Sequence, residues 1–139
     1  MKLELNATPG EVMRAVEALQ AFGRECGLEE RALFGLTVAL EECGSNIVNH
    51  ALAGLPGATF GVEFDHSDGR LVIVLRDRGP AFDPTAATAR RPQAEDGDPP
   101  GGWGIHLVRR YTDAIEYARE GDENVLRLIK RLEPEGGER

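Results

Sequence analysis

Arg70-Leu71-Val72-Ile73-Val74-Leu75-Arg76-Asp77-Arg78-Gly79-Pro80 is the stretch on which the fold turns. Leu71 to Leu75 is a nearly continuous apolar run, and Gly79-Pro80 stops it. Such a run marks a strand lying centrally in a sheet. Before it, Ser67-Asp68-Gly69 signals a turn, and Thr59 to Phe64 alternates apolar and polar residues. The two segments predict a β-hairpin. After it, from Arg76 to Gly104, Pro80, Pro84, Pro92, Pro99 and Pro100 mingle with Gly79, Gly97, Gly101, Gly102 and Gly104. That density excludes a regular element over most of the stretch. An irregular loop this long in a compact domain is usually functional, and residues 78–103 are taken as a lid.

Toward the N-terminus, Lys2 to Asn6 alternates and predicts a short strand. Thr8-Pro9-Gly10-Glu11 has the spacing of a capping box with proline in the first turn. Val12, Val16, Leu19 and Phe22 or Gly23 follow at helical spacing, and Gly27 ends the segment. Leu28 to about Leu52 predicts a second, longer helix with an apolar face of Leu33, Leu36, Leu40, Ile47 and Ala51. Toward the C-terminus, Ile105 to about Tyr111 predicts a helix. Ala114 to Arg119 and Val125 to Leu132 predict two strands around Gly121-Asp122. The expected fold is α+β: a two-layer sandwich with a mixed, mostly antiparallel sheet and all helices on one face.

The chain has 139 residues, enough for one domain spanning 1–139, and 41% are apolar. The net charge of −8 disfavours nucleic acid, whose phosphates need clustered Lys and Arg, and suits a basic patch on a protein partner. Cys26 and Cys43 fall within helical patterns without metal-ligand spacing. They read as buried thiols in a reducing, cytoplasmic setting. No signal peptide and no membrane-spanning run is apparent.

Three motifs carry candidate chemistry. Glu42, Asn46 and His50 lie four residues apart and share a helical stripe. Spacing alone fits a solvated face, yet Asn46, Asn49 and Gly44 are weak helix formers, as if something approaches closely there. Asp77-Arg78-Gly79 puts a carboxylate at a strand end, able to accept from an exocyclic amine, with a glycine that lets a flat ring near the backbone. An ordinary Asp-x-Gly turn is the plain alternative. Gly101-Gly102-Trp103-Gly104 opens a helix and could bind phosphate through free N–H groups, or serve as a hinge. It is neither a Walker A loop nor a Rossmann fingerprint.

Their order in one chain resembles the GHKL ATPase superfamily. The texture looks like its anti-sigma-factor serine kinases, which pair with STAS-domain anti-anti-sigma proteins. The resemblance rests on Leu40 to Ala51, Val74 to Pro84, Gly102 to Val108 and Asn124 to Lys130, nearly the whole chain. It implies a Bergerat-type ATP-binding fold, with ATP and Mg²⁺ as cofactors. It implies Asn46 as the Mg²⁺ ligand and Glu42 as general base. Asp77 would bind the adenine amine with Gly79 beside the ring, and Gly102 and Gly104 would be lid glycines near the phosphates. His50 would be structural. Arg90, Arg91 and Arg109 are candidates for the γ-phosphate. The implied function is a serine/threonine kinase that phosphorylates a STAS-domain protein, sequesters a sigma factor and forms a homodimer. An alternative is a nucleotide-gated binding regulator. The chain departs from the family in its acidic Asp96-Gly97-Asp98-Pro99-Pro100, and in Asn124, where many members carry Thr.

Overall fold

Residues 1–86 and 101–132 are described by a computed structural model of the chain. Strand β1 (Lys2–Asn6) leads into helix α1 (Pro9–Glu25), α2 (Glu30–Asn46) and a π-helical turn (Ile47–Ala51). The hairpin β2 (Thr59–Ser67) and β3 (Arg70–Asp77) follows, then α3 (Gly101–Tyr111) and the hairpin β4 (Ala114–Glu120) and β5 (Glu123–Arg131). The sheet order is β1-β2-β3-β5-β4, which places β3 in the middle as its apolar run predicts. Every strand pair among the described residues is antiparallel, so the mixed character expected of the sheet does not arise there.

Local chemistry explains the boundaries. Thr8 Oγ1 accepts from Glu11 N at 3.2 Å, and the Glu11 carboxylate reaches back past the cap to Asn6 N at 3.0 Å. The capping-box pair thus fastens the end of β1 to the start of α1. The β2–β3 hairpin turns on Asp68 and Gly69, with φ of 53° and 75°, a left-handed pair that twists with the strands. Helix α3 begins at Gly101, so residues 101–103 of the expected lid lie in its first turn. Residues 87–100, which include Arg90, Arg91 and the acidic Asp96-Gly97-Asp98 run, lie outside the described residues.

Alternation along the strands sends Leu3, Leu5, Phe60, Val62, Phe64, Leu71, Ile73, Leu75, Leu126 and Leu128 to one face. These meet the apolar faces of α1, α2 and α3 in a single core. All five residues of the expected α2 face are buried. Gly44, which lowers helix propensity, has its reason in packing: a Cβ there would stand 3.1 Å from Val12 Cγ1 of α1. At Gly44 the close approach is therefore made by α1. Cys43 is buried as expected, whereas Cys26 is only half-buried.

Leu36 sits in this core with no exposed surface. Leu36→Ala is expected to lower stability by about 2–5 kcal/mol through lost burial and the cavity left behind. In urea unfolding the midpoint should fall by roughly 1 M or more with an unchanged slope.

Candidate functional site

The inner face of the sheet ends in two rows that differ in character. The register sets Val62, Leu75, Leu126 and Tyr117 side by side, and in the next row Phe60, Asp77, Asn124 and Arg119. Leu75, Leu126, Tyr117, Asp77 and Asn124 floor a pocket of ≈ 410 Å³ of atom-free space that opens to solvent. Cys43, Asn46, Ile47 and Ala51 wall one side, and Phe82 and Pro84 the other.

The π-helical turn sets the first wall. Leu52 N bonds to Ile47 O, five residues back, instead of four. This widening breaks the four-residue stripe after Asn46. Ile47 and Ala51 thereby both line the pocket, while His50 is exposed. No hydrogen bond or ion pair among the described residues holds the His50 side chain, for which a structural role is expected. Asn46, at the last residue of α2, remains on the pocket rim.

A hydrogen-bond cluster sets the floor. Asp77 and Asn124 are each 5% exposed and directly opposed across β3 and β5. Asn124 Nδ2 donates to Asp77 Oδ1 and to Pro80 O, both at 2.9 Å. Its Oδ1 accepts from Phe82 N at 3.1 Å, from Arg119 Nη1 at 3.3 Å and from the Tyr117 hydroxyl. The amide orientation is fixed, since a flipped amide would set oxygen against carboxylate. Gly79 N donates to Asp77 Oδ1 at 2.8 Å, and Arg119 Nη1 donates to Gly79 O at 2.8 Å. Both donors to Asp77 use Oδ1, and among the described residues none reaches Oδ2.

A buried carboxylate with one oxygen unmatched, in a pocket otherwise walled by Leu75, Ile47, Ala51, Phe82 and Leu126, suits a flat heterocycle bearing an amine. The arrangement therefore fits an adenine nucleotide. Gly79 has a different steric reason from the one its sequence suggests. A Cβ there would lie 2.4 Å from the Ala51 carbonyl oxygen, so the missing side chain admits the backbone of the π-helical turn. Asn124 is committed to Asp77 and the loop, which explains an amide at this position.

Glu42 is one turn before Asn46 on α2, about 6 Å along the axis. It does not line the pocket. Partial burial pushes its carboxyl above the ordinary value, and Glu41 beside it adds to the rise. Burial, with Glu42 adjacent, also pushes the Cys43 thiol up to about 12, so it lines the pocket as a neutral group. Among the described residues no cluster of three or more His, Cys, Asp or Glu could hold a metal. Asn46 offers one amide oxygen, which fits a Mg²⁺ held chiefly by phosphates and water. Tyr111 at the end of α3 lies on Gly35 near the start of α2, and the two helices pack side by side. They thus run antiparallel, and the turn containing Gly102 and Gly104 points toward the Asn46 end. Arg109 Nη2 holds Thr85 O at 3.1 Å.

Tyr117 and Arg119 were not singled out from sequence. Their signal is the alternation of β4, which aims Ile115, Tyr117 and Arg119 at the inner face.

Asn124→Ala is expected to strip a donor from Asp77 and leave Phe82 N and the Tyr117 hydroxyl without their acceptor. Stability should drop by about 1–3 kcal/mol. A thermal melt should show a midpoint several degrees lower, whereas Thr85→Ala, whose hydroxyl bonds only to Asp83 among the described residues, should move it far less.

Residues 5–130 match the family model described as histidine kinase-like ATPase domain. The chain is 30% identical over 135 residues to the serine/threonine-protein kinase BtrW of Bordetella bronchiseptica, covering 96% of this chain and 94% of that one. Its fold is similar to that of the RsbU and RsbW domains of a Mycobacterium tuberculosis protein, with TM-score 0.65, 17% identity and 95% of this chain covered. It is also similar to a blue-light activated histidine kinase domain of Erythrobacter litoralis, with TM-score 0.55, 13% identity and 89% covered. The chain spans 32% and 60% of those two structures. Among the described residues no helix is long and apolar enough to cross a membrane. With the sequence, the sheet order and the pocket in agreement, the chain belongs to the histidine kinase-like ATPase domain family, and its resemblance to the kinases of the GHKL superfamily stands.

Proposed function

We propose that this kinase-type domain transfers the γ-phosphate of MgATP to a serine or threonine of a STAS-domain protein, and that it binds a sigma factor in alternation with that protein. The observation that carries the reading is the placement of Asn46, on the rim of the pocket floored by Asp77, with Glu42 one turn away and its carboxyl raised above the ordinary value by partial burial. The name of the Bordetella relative, a serine/threonine-protein kinase, supports the chemistry. The RsbW domain in the Mycobacterium structure supports the partner-switching context.

In this reading Asp77 accepts the adenine amine on Oδ2 and Asn46 contributes an amide oxygen to Mg²⁺. Bound Mg²⁺ supplies charge neutralisation on the phosphates. Glu42 receives the proton of the attacking hydroxyl, and a carboxylate raised above its usual range is a better base for that task. Gly102 and Gly104 offer backbone N–H groups at the start of α3 to the phosphates. Arg109, the γ-phosphate candidate among the described residues, is already engaged with Thr85 O. A homodimer is part of the reading by family resemblance.

Incubation with labelled MgATP and STAS-domain proteins of the same genome tests this. Tight ATP binding without transfer to any of them would favour a nucleotide-gated binding regulator. Glu42→Gln should leave ATP affinity near wild type and cut the transfer rate roughly 10²–10⁴-fold. Wild-type rate should fall as pH drops through a midpoint above the ordinary glutamate value, because the base must be ionised. The stability effect has the opposite sense. A carboxyl raised in the folded state favours folding below its unfolded value, and that contribution fades as pH rises through the folded value. Glu42→Gln should therefore be as stable as wild type, or more so, at neutral pH by urea unfolding. Asn46→Ala should weaken ATP binding in Mg²⁺ and make it insensitive to EDTA.

A further inference from the structure

A second concavity lies between the start of α2 and the end of α3, far along the helices from Asn46. We propose that it docks the protein substrate through an apolar side chain flanked by carboxylates. The proposal rests on the kinase reading above and adds where the substrate is gripped.

Phe34 is 61% exposed, the most solvent-exposed large apolar side chain of the described residues. It stands edge-on to Tyr111, with ring centroids 6.1 Å apart and planes at 87°. Tyr111 is itself seated on Gly35, where a Cβ would come within 2.6 Å of Cδ1, so the ring lies against the α2 backbone and props Phe34 outward. Leu107, one turn earlier on α3, is 38% exposed and extends the apolar surface. Isolated exposed aromatics need no explanation, but a buttressed aromatic pair is the form an interface anchor takes.

Its position ties it to the catalytic row. Phe34, Val38, Glu42 and Asn46 recur every four residues on α2. Phe34 is eight residues from Glu42, about 12 Å along the axis. An extended segment covers that distance in about four residues at roughly 3.3 Å each. A chain with its hydroxyl at Glu42 can therefore set an apolar residue on Phe34.

Charge gives the rest of the partner's chemistry. Arg31, Arg110, Lys130 and Arg131 line the same groove. Among the described residues no carboxylate pairs with any of their side chains, in a chain whose net charge is −8. Arg110 instead stands over the Tyr111 ring, 6.0 Å from its centroid. Of the acidic side chains in the groove, Asp113 is engaged by the Arg131 backbone N–H at 2.6 Å and Glu29 precedes α2. Four unpaired cations around an exposed aromatic pair are complementary to an acidic segment with an apolar centre.

The test measures phosphate transfer to STAS-domain proteins of the same genome by wild type, Phe34→Ala and the double variant Arg31→Glu/Arg110→Glu, with ATP affinity measured in parallel. For the protein that wild type phosphorylates, each variant should raise KM for that protein about tenfold and leave the rate at saturation and the ATP affinity unchanged. Raised salt should raise the wild-type KM and barely affect the charge-reversed variant. Unchanged KM in both variants, with wild type active, overturns the docking surface alone. Loss of a wild-type dimer in Phe34→Ala at unchanged KM assigns the groove to a second copy of the chain and overturns it as well. If wild type phosphorylates none of these proteins, the kinase reading fails and the docking proposal falls with it.

Discussion

The hydrogen bond from the Asn124 amide to Asp77 Oδ1 is the contact around which the open end of the molecule is organised. A carboxylate 5% exposed is costly unless donors meet it. Asn124 and the Gly79 N–H meet it on one oxygen only. The same amide then collects Pro80 O and Phe82 N, so the chain leaving β3 is held over the pocket instead of running into solvent. One cross-strand pair thus sets the floor, anchors the first residues of the loop, and leaves a single acceptor unmatched within an apolar enclosure.

That loop can only lie where it does because the end of α2 lets it. The Ala51 carbonyl occupies the space a side chain at 79 would need. The carbonyl is there because the π-helical turn widens the helix after Asn46. A plain α-helix through Leu52 would rotate Ile47 and Ala51 relative to each other and shift the backbone that Gly79 touches. The turn, the glycine and the Asp77–Asn124 pair are three parts of one fit, and rearranging any one displaces the other two.

The elements were largely legible in the sequence because each carries local chemistry: the Thr8/Glu11 cap, the Asp68-Gly69 turn, the apolar Leu71–Leu75 run. Asp77 and Asn46 were legible as site candidates because their order with Gly102 and Gly104 is distinctive. The π-helical turn was not, since Ile47 and Ala51 are spaced four apart and satisfy an α-helical pattern equally well. Nor was the reason for Gly44 and Gly79, which depends on Val12 and Ala51, distant in sequence. Tyr117 and Arg119 stayed hidden for the same cause. A strand's alternation says which face a residue takes, but only the register with Leu126 and Asn124 says that this face ends in a pocket.

Electrostatics gives the site its remaining logic. Glu41 and Glu42 place two carboxyls about one turn before Asn46 on α2, and their mutual repulsion contributes to the raised Glu42. A third carboxylate at position 46 would draw a cation more strongly, yet it would deepen a negative field that a triphosphate must enter. An amide, as at Asn46, can coordinate a cation without adding charge. Nearby arginines do not offset the field freely: Arg119 is bound to Gly79 O, Arg109 to Thr85 O, and Arg78 faces Asp122 and Glu123. In a chain with only Lys2 and Lys130 as lysines, the proposed nucleotide complex would draw, among the described residues, on the metal ion and on backbone N–H groups at the start of α3 to neutralise its polyphosphate. A helix N-terminus opened by glycines, directed at the Asn46 end of α2, is an arrangement suited to this demand without a side-chain cation from the described residues.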